Sequence, residues 1–161
     1  MAIGFQKWIG YADVKSVPVH LYVQRNENFS TFGIPIPFDF AQVKEGNAMN
    51  LKSGIFTAPR TGIYFFSFTG LVSPPSTTTL TYLDIGLYLN GGVIGTGHAD
   101  EATSVNQFSP LTLQSTLNLK SGDQVSVRIN NISTGAYLFD NLRHFTHFTG
   151  FMLEEEIVSS L

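Results

Sequence analysis

The side chains that could perform chemistry are few, and their spacing argues against each reaction they could carry. His144 and His147 lie three positions apart, a spacing found in some zinc sites. Residues three apart in a strand point to opposite faces of a sheet, so only a helix would bring the two imidazoles together. The segment shows no helical period, and the sequence therefore favours a strand over a zinc site.

The other candidates for catalysis also lack partners. A glycine-rich run at 92–97 follows a turn signal instead of opening a helix, and a phosphate cradle needs a helix N-terminus. The chain has no cysteine and no Gly-x-Ser-x-Gly motif for a nucleophile. No pair among the central carboxylates has a spacing that predicts an acid–base couple: Asp84, Asp100, Glu101, Asp123 and Asp140. The sequence predicts neither an enzyme nor a cofactor.

Composition points to one all-β domain. Of 161 residues, 13% are charged and 13% are aromatic, and glycine and proline interrupt the apolar runs. The net charge of −3 gives no electrostatic case for nucleic acid or for an anionic membrane. No apolar run reaches the roughly 18 residues that a membrane-spanning helix needs. Residues 1–8 lack the basic and apolar regions of a secretion signal.

The densest apolar run, residues 62–70, organises the chain. With a period of two, Tyr64, Phe66 and Phe68 share one face of a strand, which we predict to line the core. Ile63 and Phe65 fall on the opposite face. Since exposed aromatic side chains are costly there, we predict that a second layer or a second subunit covers them.

Similar alternation predicts strands at 17–25, 80–89, 111–119 and 125–129, and Asn90-Gly91 is a hairpin turn signal. Shorter runs bring the expected total to about ten strands, in a sandwich or jelly roll. Glu154 to Glu156 form the one charge run, which we interpret as a solvated chain end.

Several separated motifs occur together in a recognisable order. They include Pro37-Phe38-Asp39, the run from Gly54 to Phe68, Gly122-Asp123-Gln124-Val125 and the closing segment 148–153. In this order they resemble the complement C1q globular-domain family over nearly the whole chain. The positions that carry the resemblance are Phe38, Gly54, Phe56, Gly62, Tyr64, Phe66, Gly122, Asp123, Phe148, Gly150 and Phe151.

This resemblance implies a ten-stranded jelly roll, shared with tumour necrosis factor, that assembles as a homotrimer with Ile63 and Phe65 as candidate interface residues. It also implies a secreted, non-catalytic, lectin-like or innate-immune module that binds proteins, carbohydrates or microbial surfaces. A cytokine-like trimeric ligand for a cell-surface receptor is the alternative. A carbohydrate-active enzyme is a third class, against which the missing carboxylate pair argues. Some family members bind calcium, but no calcium site can be assigned to residues of this sequence.

The resemblance also divides the chain. Residues 17–153 form the expected C1q-like domain, residues 1–16 an N-terminal extension outside the family pattern, and residues 154–161 a C-terminal tail. The sequence shows neither the Gly-X-Y repeats nor the heptads of the stalk that many family members carry. Because the N-terminal segment falls outside the family pattern and a secretion signal is missing, we expect a fragment of a longer secreted chain or an incomplete gene model. Two glycosylation sequons, at Asn28 and Asn131, agree with an extracellular location.

Overall fold

A computed structural model describes residues 17–75, 80–101 and 107–157, and within them the chain forms eleven β-strands and no helix. None of these residues therefore belongs to an apolar helix of membrane-spanning length. The predicted extension, 1–16, lies outside the described residues. The strands are β1 His20–Gln24, β2 Phe40–Glu45, β3 Met49–Asn50, β4 Ile55–Thr57, β5 Gly62–Ser73, β6 Thr81–Leu89, β7 Gly92–Glu101, β8 Ser109–Leu119, β9 Gln124–Ile132, β10 Tyr137–Leu138 and β11 His147–Glu155.

The strands form two antiparallel sheets that pack face to face. Sheet A runs β8-β5-β11-β1-β2, and β10 pairs with the end of β5. Sheet B runs β3-β4-β9-β6-β7. The chain crosses repeatedly between the sheets, as when β5 of sheet A is followed by β6 of sheet B, although the pairs β1–β2, β3–β4, β6–β7 and β10–β11 each stay within one sheet. The predicted all-β jelly-roll sandwich is confirmed, with two of its eleven strands only two residues long.

The core forms where the inner face of β5, which carries Tyr64, Phe66 and Phe68, meets sheet B. Tyr64, Phe66 and Phe68 are at most 1% exposed, which confirms the predicted face. Phe56 of β4 crosses from sheet B, and its ring centroid lies 5.6 Å from that of Tyr64 and 5.1 Å from that of Phe66. Phe148 of β11 stacks on Phe66 at 5.7 Å. Edge-to-face and offset-stacked rings at these separations attract one another beyond their burial.

Sheet B closes the core with alternating aliphatic side chains, and its hairpin follows the predicted signal. Asn90 and Gly91 have φ values of 50° and 83°, which suits the type I′ turn between β6 and β7. Asn90 also fixes the neighbouring turn, because its Nδ2 donates to Asp123 Oδ1 at 2.9 Å and its Oδ1 accepts from Gln124 N at 2.8 Å. The buried aliphatic residues include Leu83, Ile85, Leu87, Val125, Val127 and Ile129.

The predicted solvated chain end was wrong at Glu155, whereas Glu154 and Glu156 are exposed as expected. Strand β11 continues to Glu155, which lies opposite Gly62 at the beginning of β5. The Glu155 carboxylate pairs with the Arg60 guanidinium at 3.1 Å, and the two side chains are 22% and 26% exposed. The charge run therefore ends a strand, because a turn distant in sequence supplies a counter-charge.

Candidate functional site

The surface with the strongest functional potential is the outer face of sheet A, which we call the aromatic face. Side chains alternate along β5, so Phe65, Ser67 and Thr69 point away from the core that Phe66 enters. Cross-strand partners share a face, and the register extends this surface over β8 and β11. The central stripe of the aromatic face consists of Phe65, Ser67, Thr69, Thr112, Gln114, Thr116, His147, Thr149 and Phe151.

Two phenylalanines mark one end of this stripe. Phe65 and Phe151 are register partners, and their ring centroids are 5.4 Å apart. Both remain only half-buried, whereas Phe66, one position from Phe65, is 1% exposed. Ile63 lies beyond Phe65, also half-buried, where Glu154 is its register partner. The two predicted interface residues therefore share the outer face, with Phe65 nearer its centre and Ile63 at its acidic end.

The middle of the aromatic face is polar but neutral. Tyr22 of β1 meets the His147 ring edge-on, with centroids 5.7 Å apart, and its hydroxyl accepts from Gln24 Nε2 at 3.2 Å. Burial lowers the pKa of the His147 imidazole, and the Asp140 carboxylate opposes this shift with a smaller effect. The imidazole is therefore uncharged at neutral pH. None of the nine side chains in the central stripe is an Asp, Glu, Lys or Arg.

A buried carboxylate positions the start of β11 beside this face. Asp140, 6% exposed, accepts backbone hydrogen bonds from Asn141, Phe145 and Thr146 at 2.7–2.9 Å. It thus organises the 140–146 turn from which β11 departs. The sequence identified Asp140 only as an unpaired carboxylate, and the segments that bury it could not be inferred from local spacing.

The two histidines considered for zinc have separate partners. His144 lies in the turn with φ of 56°, and its Nδ1–H donates to the Arg25 carbonyl oxygen at 2.6 Å. His147 lies in β11 against Tyr22. Among the described residues, no three His, Asp or Glu side chains are grouped to hold a metal ion. Calcium binding, suggested by the resemblance, stays a prediction without an assigned site.

The other residues singled out in the sequence have structural positions. The glycine-rich run belongs to β7, paired with β6. Asp123 lies in the β8–β9 turn, where hydrogen bonds from Asn90 and from the Lys120 N–H lower its carboxyl pKa. Gly122 has a φ of 92° in the same turn, and Gly54 has a φ of 68° before β4. Phe38, Phe56, Tyr64, Phe66 and Phe148 lie in the core.

Two of the motif glycines allow β5 and β11 to pack closely. A Cβ on Gly62 would lie 2.2 Å from the Glu154 carbonyl oxygen, and one on Gly150 would lie 2.7 Å from the Phe66 ring. Both approaches are shorter than real Cβ contacts, so a larger residue at 62 would displace the β11 backbone and one at 150 would displace the Phe66 ring. These glycines therefore support the strand pair that presents Phe65 and Phe151 on the aromatic face.

Together, the two antiparallel sheets, the strand order and the neutral aromatic face define a jelly-roll sandwich of the type that C1q and tumour necrosis factor proteins share. The family model of the C1q domain matches residues 20–153 of the chain. The chain therefore belongs to the C1q domain family, as its motifs suggested.

The chain spans less than half the length of the curated relatives it matches. Zebrafish Caprin-2 is 30% identical over an alignment of 155 residues, and the match covers 87% of this chain and 16% of Caprin-2. Mouse complement C1q tumor necrosis factor-related protein 3 is 30% identical over 80% of this chain and 48% of its own length. Mouse collagen alpha-1(X) chain is 27% identical over 87% of this chain and 19% of its own length.

Solved structures agree on the fold. The globular domain of the zebrafish complement 1qA protein aligns with a TM-score of 0.63 at 20% identity, over 86% of this chain and 99% of that domain. The Eiger TNF of S. frugiperda aligns with a TM-score of 0.62 at 10% identity, over 91% of this chain and 99% of that one. At 20% and 10% identity, these two structures support the fold alone, whereas the family assignment comes from the C1q domain model.

Proposed function

We propose that this chain is a non-catalytic C1q-like recognition module that assembles as a homotrimer through the aromatic face and acts outside the cell. The observation that carries the proposal is the neutral central stripe, in which Phe65 and Phe151 stay half-exposed in one subunit. Cores of protein interfaces are depleted in charge and enriched in aromatic side chains. The central stripe of the aromatic face has both properties.

A threefold ring is one of the closed symmetries that such a face permits, and membership of the C1q domain family favours it over the others. A threefold ring uses a heterologous contact, in which the aromatic face of one subunit packs on a different surface of the next. Each such contact would need to bury on the order of 1,200–2,000 Å² of total surface to be stable and specific. The supporting facts are membership of the C1q domain family and the similarity to the complement and TNF-related proteins.

Recognition fits a trimer because three identical surfaces bind a repetitive target together. Linked binding sites gain avidity through effective concentration, without any new contact. Microbial surfaces and glycans present such repeats, and proteins that cluster receptors use the same geometry. A cytokine-like ligand is the second candidate, supported by the fold shared with the Eiger TNF structure.

An extracellular location is supported by the two sequons. Asn28 and Asn131 are both exposed, so neither asparagine would have to be extracted from the core to carry a glycan. The recombinant domain expressed through a secretory pathway should gain mass that an N-glycosidase removes. Locating the endogenous protein by fractionation tests the location itself, and a cytosolic pool with no secreted form would contradict it.

Light scattering of the purified domain at micromolar concentration tests assembly. We expect about three times the subunit mass of 17.7 kDa. A stable monomer at that concentration would overturn the proposal. Glycan-array and receptor-display screens of the same sample then separate recognition of saccharides from cytokine-like signalling.

A further inference from the structure

A polar groove opens at an edge of the sandwich, away from the aromatic face. Strand β2 is the edge of sheet A and β3 is the edge of sheet B, and the chain between and after them lines a cavity of about 670 Å³. Strand β4 and the start of β9 complete the wall. The lining residues are Lys44, Asn47, Ala48, Met49, Asn50, Leu51, Lys52, Ser53, Ile55, Thr57 and Gln124.

The charge of this groove differs from that of the chain. Lys44 and Lys52 line it, and none of its lining residues is an Asp or Glu, although the chain has a net charge of −3. Neither lysine takes part in a salt bridge among the described residues. Two lysines without a salt-bridge partner therefore line the groove, which favours an anionic ligand.

The strand register keeps the nearest acid out of the groove. Lys44 pairs with Leu21, whose side chain enters the core, so Lys44 points to the core side of β2 at the open edge. Glu45 pairs with His20 and points to the opposite side, with the aromatic face. An occupied groove and a covered aromatic face therefore use opposite sides of β2.

Neutral polar groups surround the lysines. The Asn50 Oδ1 accepts from Ser53 N at 3.1 Å, and its Nδ2 has no partner among the described residues. Asn47 stands at a φ of 50° in the preceding turn, and Gln124 and Thr57 lie at the far end. Amides and hydroxyls of this kind suit the vicinal hydroxyls of a sugar, which both donate and accept hydrogen bonds.

We propose that the groove between β2 and β3 binds an anionic saccharide, with Lys44 and Lys52 pairing with its carboxylate or sulfate groups. A peptide added as a strand fits less well, because β3 contributes only two residues and its neighbouring carbonyl at Leu51 already accepts from Phe38 N at 2.9 Å. The inference names a ligand class for the recognition module proposed above and rests on that function.

Immobilised probes test the ligand class. Dextran sulfate tests binding of a sulfated saccharide, and polygalacturonate tests binding of a carboxylated one. Neutral dextran is the uncharged control, and polyglutamate is the acidic peptide control. We expect the wild-type domain to bind one or both anionic saccharides at least about tenfold more tightly than dextran or polyglutamate. Equal binding of dextran, or equal or tighter binding of polyglutamate, would overturn the inference.

Substitutions test the site. The double variant Lys44→Gln/Lys52→Gln should lose at least about tenfold in affinity for the preferred saccharide. Lys120→Gln is the matched control, because Lys120 is an exposed lysine in the β8–β9 turn that does not line the groove. It should leave affinity unchanged. Equal losses in both variants, or none in the double variant, would contradict the assignment.

Molecular mass separates this inference from the proposed assembly. A trimeric sample that binds neither saccharide refutes the groove inference and leaves the assembly intact. A monomeric sample whose saccharide binding requires Lys44 and Lys52 supports the groove and refutes the assembly. Matching melting temperatures among the variants confirm that affinity losses do not come from unfolding.

Discussion

The outer faces of the two sheets differ although their inner faces are alike. On sheet B, polar groups are paired within one subunit: His98 Nδ1 contacts Asp84 Oδ1, and its Nε2 lies 3.5 Å from Asp100 Oδ2. The Arg128 guanidinium lies 4.5 Å from the centroid of the Tyr88 ring. On sheet A, the aromatic face carries two half-exposed phenylalanines and no charge in its central stripe.

This difference separates a solvated face from one suited to a partner. Charged groups on sheet B gain little from leaving water, and their desolvation would cost more than the pairs return. Neutral and aromatic groups on sheet A lose little by being covered and gain from apolar burial. A β-sandwich therefore needs only a change of side chains on one face to convert a soluble surface into an assembly surface.

The largest expected effect comes from placing a charge on the aromatic face. Phe65→Glu removes one member of the Phe65–Phe151 pair and adds a carboxylate to a central stripe that has no Lys or Arg to pair with it on subunit contact. Desolvating an unpaired carboxylate is costly, so assembly should fail before folding does. Light scattering should show the mass falling about threefold, from trimer to monomer, as expected for a threefold ring.

The matched control introduces the same charge on the other sheet. Thr96 is exposed on the outer face of sheet B, opposite Gly86. Thr96→Glu should leave the mass unchanged. A trimeric Phe65→Glu variant of normal stability would show that the aromatic face is not the contact, while loss of mass in both variants would remove the distinction between the two faces.

The second effect tests whether the two inner faces are equivalent. Phe66 of sheet A and Leu83 of sheet B are at most 1% exposed. Phe66→Ala should lower the free energy of unfolding by about 3–5 kcal/mol and Leu83→Ala by about 2–5 kcal/mol, through lost burial and the cavity left behind. Denaturant titration measures both. A loss below about 1 kcal/mol at either site would place that residue outside the common core.

The sequence predicted which side chains of β5 face the core, but not which strands lie beside β5. Tyr64, Phe66 and Phe68 could be assigned to the core because the period of two is a local property of one strand. The pairing of Phe65 with Phe151 could not, because it depends on the register between β5 and β11, strands far apart in sequence. In the sequence, Phe151 was recognised only as a motif position. Because side chains alternate along β11 and that of Phe148 faces inward, the Phe151 side chain, three positions further on, points outward.

Long-range contacts account for the remaining differences. The Glu155 side chain pairs with Arg60, which the local charge run gave no means to predict. The groove is similar, since Lys44 lies on sheet A and Lys52 follows β3 of sheet B. The two lysines line the same groove only because the β2 edge of sheet A lies beside the β3 edge of sheet B. Alternation in sequence therefore predicts faces, whereas the sites on those faces depend on which strands pair.

A third, smaller effect is a pH dependence of opposite sign on the two faces. Burial lowers the folded-state pKa of His147, so the unfolded chain binds the proton more readily. Its contribution to stability is complete above the unfolded pKa of about 6.5 and is lost as pH falls through the lower folded value. His147→Gln should therefore reduce the loss of melting temperature between pH 7.5 and 5.5.

His98 should behave in the opposite way. Its hydrogen bond with Asp84 raises the imidazole pKa, so its contribution is complete below the unfolded value and is lost as pH rises through the raised one. His98 is fully exposed to screening, and the effect should be small. His98→Gln should differ most from wild type at acidic pH. The same pH profile for both variants would contradict the assigned contrast.

The smallest expected effect concerns the internal pairing of sheet B. Arg128 lies over Tyr88, and its Nε donates to Ser126 Oγ at 3.2 Å. Arg128→Lys keeps the charge but loses the planar group that stacks on the ring, which should cost about 0.5–1 kcal/mol. For a domain of this size the melting temperature should fall by roughly 2–4 °C or less, since about 1 kcal/mol shifts it by that much.

Arg143→Lys is the control, because the exposed Arg143 side chain has no described contact. The mass should stay the same in both variants. If Arg128→Lys instead reduced the mass, sheet B would take part in assembly, and its outer face could no longer be regarded as satisfied within one subunit.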